Sequence, residues 1–326
     1  LCVFNLKTPK IINPKNPEIM KTLKKFRFCA ILIAVLAIGF TSCKKDKNPD
    51  TTTLQQFVSD ENRVAAADDE IMKDINSVLS GSGQKATNIF PCNVTVDSST
   101  IVGDTIIYSI TFNGLNCSGR WNRVGQAEVK KHVNTHWPDA GATVYVKYLN
   151  VLFTRVSDNL TLTLNGKRIY TNVSGGRIIN LGTSATSIVH RVTGSLIATF
   201  NDNTTRTWTI ARQITYTGTM GNLWVTIDGF GSADGYNNLV VWGTNRNGEL
   251  FYTQITQSVI HKESCNFDPC AGVKVHQIPA ESKQATFTGG FDDNNLPVDV
   301  NGSACPTKYR IDWVWNGNSG TVYKYL

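Results

Sequence analysis

No apolar run in this chain is long enough to cross a membrane as a helix. The longest, Phe28 to Phe40, holds 13 residues without a charge, where a spanning helix needs about 20. Histidine is scarce: His132, His136, His190, His261 and His276 are all there are. His132 and His136 have the i, i+4 spacing that binds zinc on a helix, but they follow a strand-like segment. On a strand they lie roughly 13 Å apart at about 3.3 Å per residue, too far for one metal. No glutamate follows His132, which removes the metalloprotease pattern. Cys265 and Cys270 form C-x4-C without the second half-site of a zinc cluster. The serine in "GFGSADG" (Gly229 to Gly235) lacks the G-x-S-x-G order of a nucleophile elbow. No cofactor, metal or catalytic residue is expected on these grounds. Excess charge is also missing. The chain carries +7, but residues 1–42 hold seven cations against Glu18, which leaves about +1 for the rest. No positive field remains to hold nucleic acid.

The first 42 residues read as an address. Met20, Lys21, Lys24, Lys25 and Arg27 form a basic stretch before the 13-residue apolar run. Small residues follow, which is the pattern of a secretory signal peptide. Phe40-Thr41-Ser42-Cys43 resembles a bacterial lipobox, in which the cysteine takes lipid and becomes the new N-terminus. The expectation is a signal peptide over 20–42 with lipidation at Cys43, and an upstream extension over 1–19. More than one acyl chain gives stable anchoring. The expected place is the cell envelope, at the outer membrane, on its periplasmic or its outward side.

Residues 43–57 are polar and aperiodic, as in a flexible tether. "SDENRVAAADDEIMKDINSVLSG" predicts a helix over 58–82. Ser59 or Asp60 is its expected cap, and Val64, Ile71, Ile75, Val78 and Leu79 fall on one face. From Ile89 onward β-branched and aromatic residues dominate, which predicts an antiparallel β-domain over 89–326. Asn-Gly pairs at 113–114, 165–166, 247–248 and 316–317 punctuate it. Such pairs accept the positive φ angles of hairpin turns. The fold class is therefore all-β: an antiparallel meander forming a sandwich or a strongly curved sheet, with one N-terminal helix.

Three segments carry a resemblance: "NCSGRWNRVGQAEV" (116–129), "WGTNRNGELFYTQIT" (242–256) and "DVNGSACPTKYRIDWVWNGNSGTVYKYL" (299–326). In this order they resemble a group of all-β lipoproteins of Bacteroidota, with a lipobox, an acidic helix and a Gly-x-Asn-Arg-Asn-Gly hairpin. Ala304-Cys305-Pro306 departs from that group's usual Thr-Cys-Asp, and Cys270 is additional. The resemblance implies class and address. It carries no catalytic residue.

Five cysteines follow Cys43, and export permits disulfides. Cys92 with Cys117 and Cys265 with Cys305 are the expected pairs, with Cys270 left over or taking Cys305 in place of Cys265. Asp292, Asp293 and Asp299 lie in an oxygen-rich stretch that suits calcium or a turn. Trp313 and Trp315 share one face of the last strand, as core or as an exposed platform for sugar or protein. The expected role is non-catalytic: a membrane-tethered protein that binds a glycan or protein ligand or serves a structural part. A glycan-directed hydrolase with a hidden carboxylate pair is the alternative.

Overall fold

A computed structural model describes residues 52–81 and 91–326. Cys43 and the signal-peptide and extension segments lie outside the described residues. Among the described residues one α-helix, α1 (Thr52–Gly81), precedes 15 strands. These are β1 (Val94–Val102), β2 (Thr105–Leu115), β3 (Trp121–His132), β4 (Ala142–Arg155), β5 (Thr161–Asn172), β6 (Ser187–Phe200), β7 (Thr205–Thr219) and β8 (Asn222–Gly229). They continue with β9 (Gly231–Ala233), β10 (Tyr236–Thr244), β11 (Leu250–Lys262), β12 (Pro269–Ile278), β13 (Lys283–Phe291), β14 (Lys308–Trp315) and β15 (Asn318–Tyr325).

All the strands belong to one antiparallel sheet. Its order is β1 to β7, then β10 to β15, with β8 bridging β7 and β11 and β9 alongside β10. Strict alternation sets its two faces. On β6, Ile188, His190, Val192, Leu196, Ala198 and Phe200 are buried, while Arg191, Ser195 and Ile197 between them face out. The buried face packs on α1, and together they make one large core. Of the two shapes consistent with the sequence, the curved sheet is the one present.

Curvature has a local cause. Gly166 on β5 and Gly194 on β6 sit mid-strand at φ +139° and +129°. A Cβ at Gly166 would strike the carbonyl of Ser195, and one at Gly194 the carbonyl of Lys167. Only glycine lets the neighbouring strand approach this closely. Register shifts between Val124 and Gln126 on β3 and between Tyr148 and Val151 on β4 continue the bend.

Asn165-Gly166 is therefore not the turn that the sequence suggests, and Asn113-Gly114 likewise runs inside β2. Asn247-Gly248 and Asn316-Gly317 do close hairpins, β10–β11 and β14–β15. A dipeptide that accepts positive φ serves a turn or a strand kink equally well, and only the partner strands decide which.

The helix also departs from expectation. It starts at Thr52, so residues 52–57 belong to it and not to a tether. Leu54, Phe57 and Val58 are buried, and that burial carries the helix further back than periodicity alone would. Ser59 and Asp60 are consequently interior residues and not caps. At about 100° per residue, the buried positions of α1 sweep roughly 220° of its circumference, so the sheet wraps more than half of it. Cys92 and Cys117 stand at disulfide distance, 5.1 Å between Cα atoms, as do Cys265 and Cys305 at 5.3 Å. Cys270 is buried and unpaired.

Candidate functional site

Much of the chemistry that the sequence offers is spent between α1 and the sheet. Inward-facing cations on alternate strand positions meet helix carboxylates one by one. Asp74 pairs with Arg123 of β3, Asp68 with Arg168 of β5, Glu61 with Arg206 and Asp69 with Arg212 of β7. Asp60 takes Arg246 from the β10–β11 turn at 2.6 Å. Lys274 of β12 reaches Asn62 Oδ1 at 3.0 Å. Arg123, Arg168 and Arg206 are almost fully buried. Aromatic rings cover their planes: Arg168 lies 5.0 Å from the Trp208 ring centre and Arg206 4.4 Å from that of Phe251. Asp68 also accepts the Tyr148 hydroxyl at 2.8 Å, and Tyr148 contacts the Tyr170 hydroxyl at 2.7 Å. Burial pushes both phenols well above their usual range. Of these acids only Asp60 stands out in the sequence, as a possible helix cap. The clue to the rest is that single arginines interrupt apolar strand faces at inward positions, as in "TRTWTIARQI" (205–214).

Buried histidines set the pH response. His190 packs edge-on to Trp137 and Tyr216, at 5.2 and 5.3 Å between ring centres, and neither ring nitrogen has a hydrogen-bond partner. Burial lowers its pKa to about 4, and does the same to His261; His276 falls well below its usual value. A histidine held neutral in the fold takes up protons on unfolding between its two pKa values. Stability is therefore full above about pH 6.5 and is lost as pH falls toward 4. Asp74 opposes part of this, since burial against the pull of Arg123 raises it to about 6. His190→Phe is expected to raise the urea midpoint at both pH 7.5 and pH 5. The gain at pH 5 should be larger by about 2 kcal/mol, the proton-linked share for one histidine. Equal gains at the two pH values would show that His190 is not held neutral.

The residues singled out in the sequence fall elsewhere. Asp292 Oδ1 accepts the amides of Asn294 and Leu296, and Asp299 Oδ1 that of Asn301. Asp293 accepts the Thr307 hydroxyl at 2.7 Å. These are turn bonds, and among the described residues no three His, Cys, Asp or Glu side chains converge to hold a metal. Trp313 lies over Gly320, and Trp315 sits 4.8 Å from the Lys283 ammonium. Both are half-buried against the core, so they do not form an exposed platform. His132 and His136 are exposed and stay apart from the buried histidines.

Two depressions stand out among the described residues. One, of about 350 Å³, lies on the outer sheet face and is lined by Ile169, Thr171, Val173, Arg191, Thr193 and Phe230. Arg191 stacks 4.9 Å from the Phe230 ring centre and donates to Gln213 at 3.1 Å. Tyr145, 56% exposed, is the register partner of Ile169. Around them the outer face is hydroxyl-rich, with Thr143–Thr171, Ser195–Thr209 and Thr207–Thr244 in cross-strand contact. The second depression, of about 260 Å³, opens beside the first turns of α1. Neither is legible in the sequence, because each draws its lining from distant segments. Comparison of the chain with protein-family models, with curated proteins and with solved structures finds no match.

Proposed function

We propose that this chain is an exported protein, tethered by lipid at Cys43 to the cell envelope, that displays a curved sheet for binding and performs no catalysis. The observation that carries this reading is the clamp on α1. The helix closest to the tether is fixed to four separate parts of the sheet, β3, β5, β7 and the β10–β11 turn, through Asp74, Asp68, Glu61, Asp69 and Asp60. A helix fixed in this way joins an anchor to a rigid face. It also commits the carboxylates and arginines that a hydrolase would turn toward substrate. The outer-face depression beside Phe230 and Tyr145 supplies aromatic surface, hydroxyls and one cation, a composition that suits a glycan or a protein loop.

The test has two parts. Cys43→Ser should abolish labelled-palmitate incorporation and move the protein out of the membrane fraction; unchanged labelling ends the anchor. The full-length protein, in detergent, is then screened on glycan and peptide arrays beside Phe230→Ala and Tyr145→Ala. Saturable binding that both substitutions weaken about tenfold supports the outer face. Turnover that vanishes on changing a single carboxylate would replace binding with catalysis.

A further inference from the structure

The second depression is built differently from the outer face. Its floor is Arg206, 1% exposed, and its walls are Phe57 and Asp60 of α1 and Arg246 and Asn247 of the β10–β11 turn, with Gln56 at the rim. Arg206 gives only Nη2 to Glu61, at 3.1 Å, and its Nε and Nη1 have no partner. The rings of Phe57 and Phe251 lie 5.2 and 4.4 Å from its guanidinium carbon and 5.0 Å from each other, so both cover it from one side. The free donors lie in the guanidinium plane, beside this aromatic pair. Buried N–H groups left without acceptors are costly, and a cavity lined by them favours a guest that brings oxygen.

Charge decides which guest. Arg206 is already matched by Glu61. Arg246 is matched by Asp60 at 2.6 Å and by Asp202 at 2.9 Å. An anion entering this pocket would gain no unpaired cation and would meet the Asp60 carboxylate in its wall. A neutral guest meets donors in Arg206 and the Asn247 amide, an acceptor in the Asp60 carboxylate, and the apolar face of Phe57 for its C–H groups. About 260 Å³ has room for a single pyranose ring. We infer that the pocket between α1 and the β10–β11 turn binds one neutral sugar residue, with Arg206 as the buried donor and Asn247 as the rim contact. The site is separate from the outer face and does not depend on the reading proposed for it.

The full-length protein in detergent is titrated by calorimetry with free glucose, galactose, mannose, fucose and N-acetylglucosamine. Glucuronate, citrate and inorganic phosphate serve as anionic competitors. At least one neutral sugar is expected to saturate with a Kd at or below about 10 mM. Arg206→Lys keeps the charge opposite Glu61 but removes the in-plane donors, and should weaken that sugar about tenfold or more. Asn247→Ala, at an exposed turn position, leaves the fold intact and should weaken it several-fold; Ile101→Ala, at an exposed position on β1 outside both depressions, should leave it unchanged. Saturation by none of the five sugars overturns the inference. So does an anion that binds more tightly than every neutral sugar, or a sugar whose binding neither Asn247→Ala nor Arg206→Lys alters.

Discussion

Gly194→Val is expected to destabilise the protein by about 4 kcal/mol or more, at the far end of what single substitutions do. Valine is among the best strand formers and glycine among the worst, so propensity alone predicts a gain of up to about 1 kcal/mol. The structure reverses the sign. Gly194 has φ +129°, which a β-branched residue does not adopt without strain, and its Cβ would collide with the carbonyl of Lys167 on β5. Relief requires β5 and β6 to separate where Gly194 pairs with Arg168 and Gly166 with Leu196. Straightening there would pull the sheet off α1, since Arg168 and Leu196 both face the helix side. Gly103→Asn is the matched control. Gly103 has φ +57° with nothing within 4 Å of a Cβ, and asparagine tolerates that backbone, so the cost should stay below about 1 kcal/mol. Urea midpoints of the two variants decide the matter. A wild-type midpoint for Gly194→Val would mean that the bend is not set by the glycine.

The same glycines show how far the sequence could be read. Class and strand content were legible because β-branched and aromatic runs are dense and alternate, as in β6 and β7. The sulfur pairing was legible because Cys92 and Cys117 flank one hairpin, a local relation. The shape was not. Asn165-Gly166 obeys turn chemistry and sits in a strand, because its positive φ is used to admit Leu196 from the next strand. The extent of α1 was missed because Leu54 and Phe57 are too few to show a period against polar neighbours, and burial by the sheet supplies what periodicity lacks. The clamp was hidden for a related reason. An acidic helix looks solvated until inward arginines appear opposite it. Arg123 and Arg246 lie on strands and turns far from α1 in sequence, so the pairing is visible only once strand order is known.

Asp68 and Arg168 form the most deeply buried pair of the clamp. Both side chains are fully buried, with Arg168 Nε 3.3 and 3.4 Å from the two carboxylate oxygens. Taking two charges out of water is expensive, and the pair is worth having only while both members are present. Arg168→Met leaves Asp68 charged in the core with the Tyr148 hydroxyl as its remaining donor, and should cost about 3–5 kcal/mol. Asp68→Leu removes the carboxylate that Arg168 is paired with and leaves its guanidinium facing Trp208, with Nη1 and Nη2 already without acceptors, and should cost a similar amount. The double variant removes both charges and fills the space with apolar volume, so its loss should fall well short of the sum, with a coupling of about 2–3 kcal/mol. Tyr148→Phe, which deletes one hydrogen bond and no charge, should cost only about 1 kcal/mol. Amide exchange adds a spatial readout: in each single variant the α1 amides should lose protection before those of β5 and β6, because the helix is held by the pairs and the strands by their ladder. Single variants within 1 kcal/mol of wild type, or a double variant equal to the sum, would show that apolar burial alone holds α1 and that the ion pairs only accompany it.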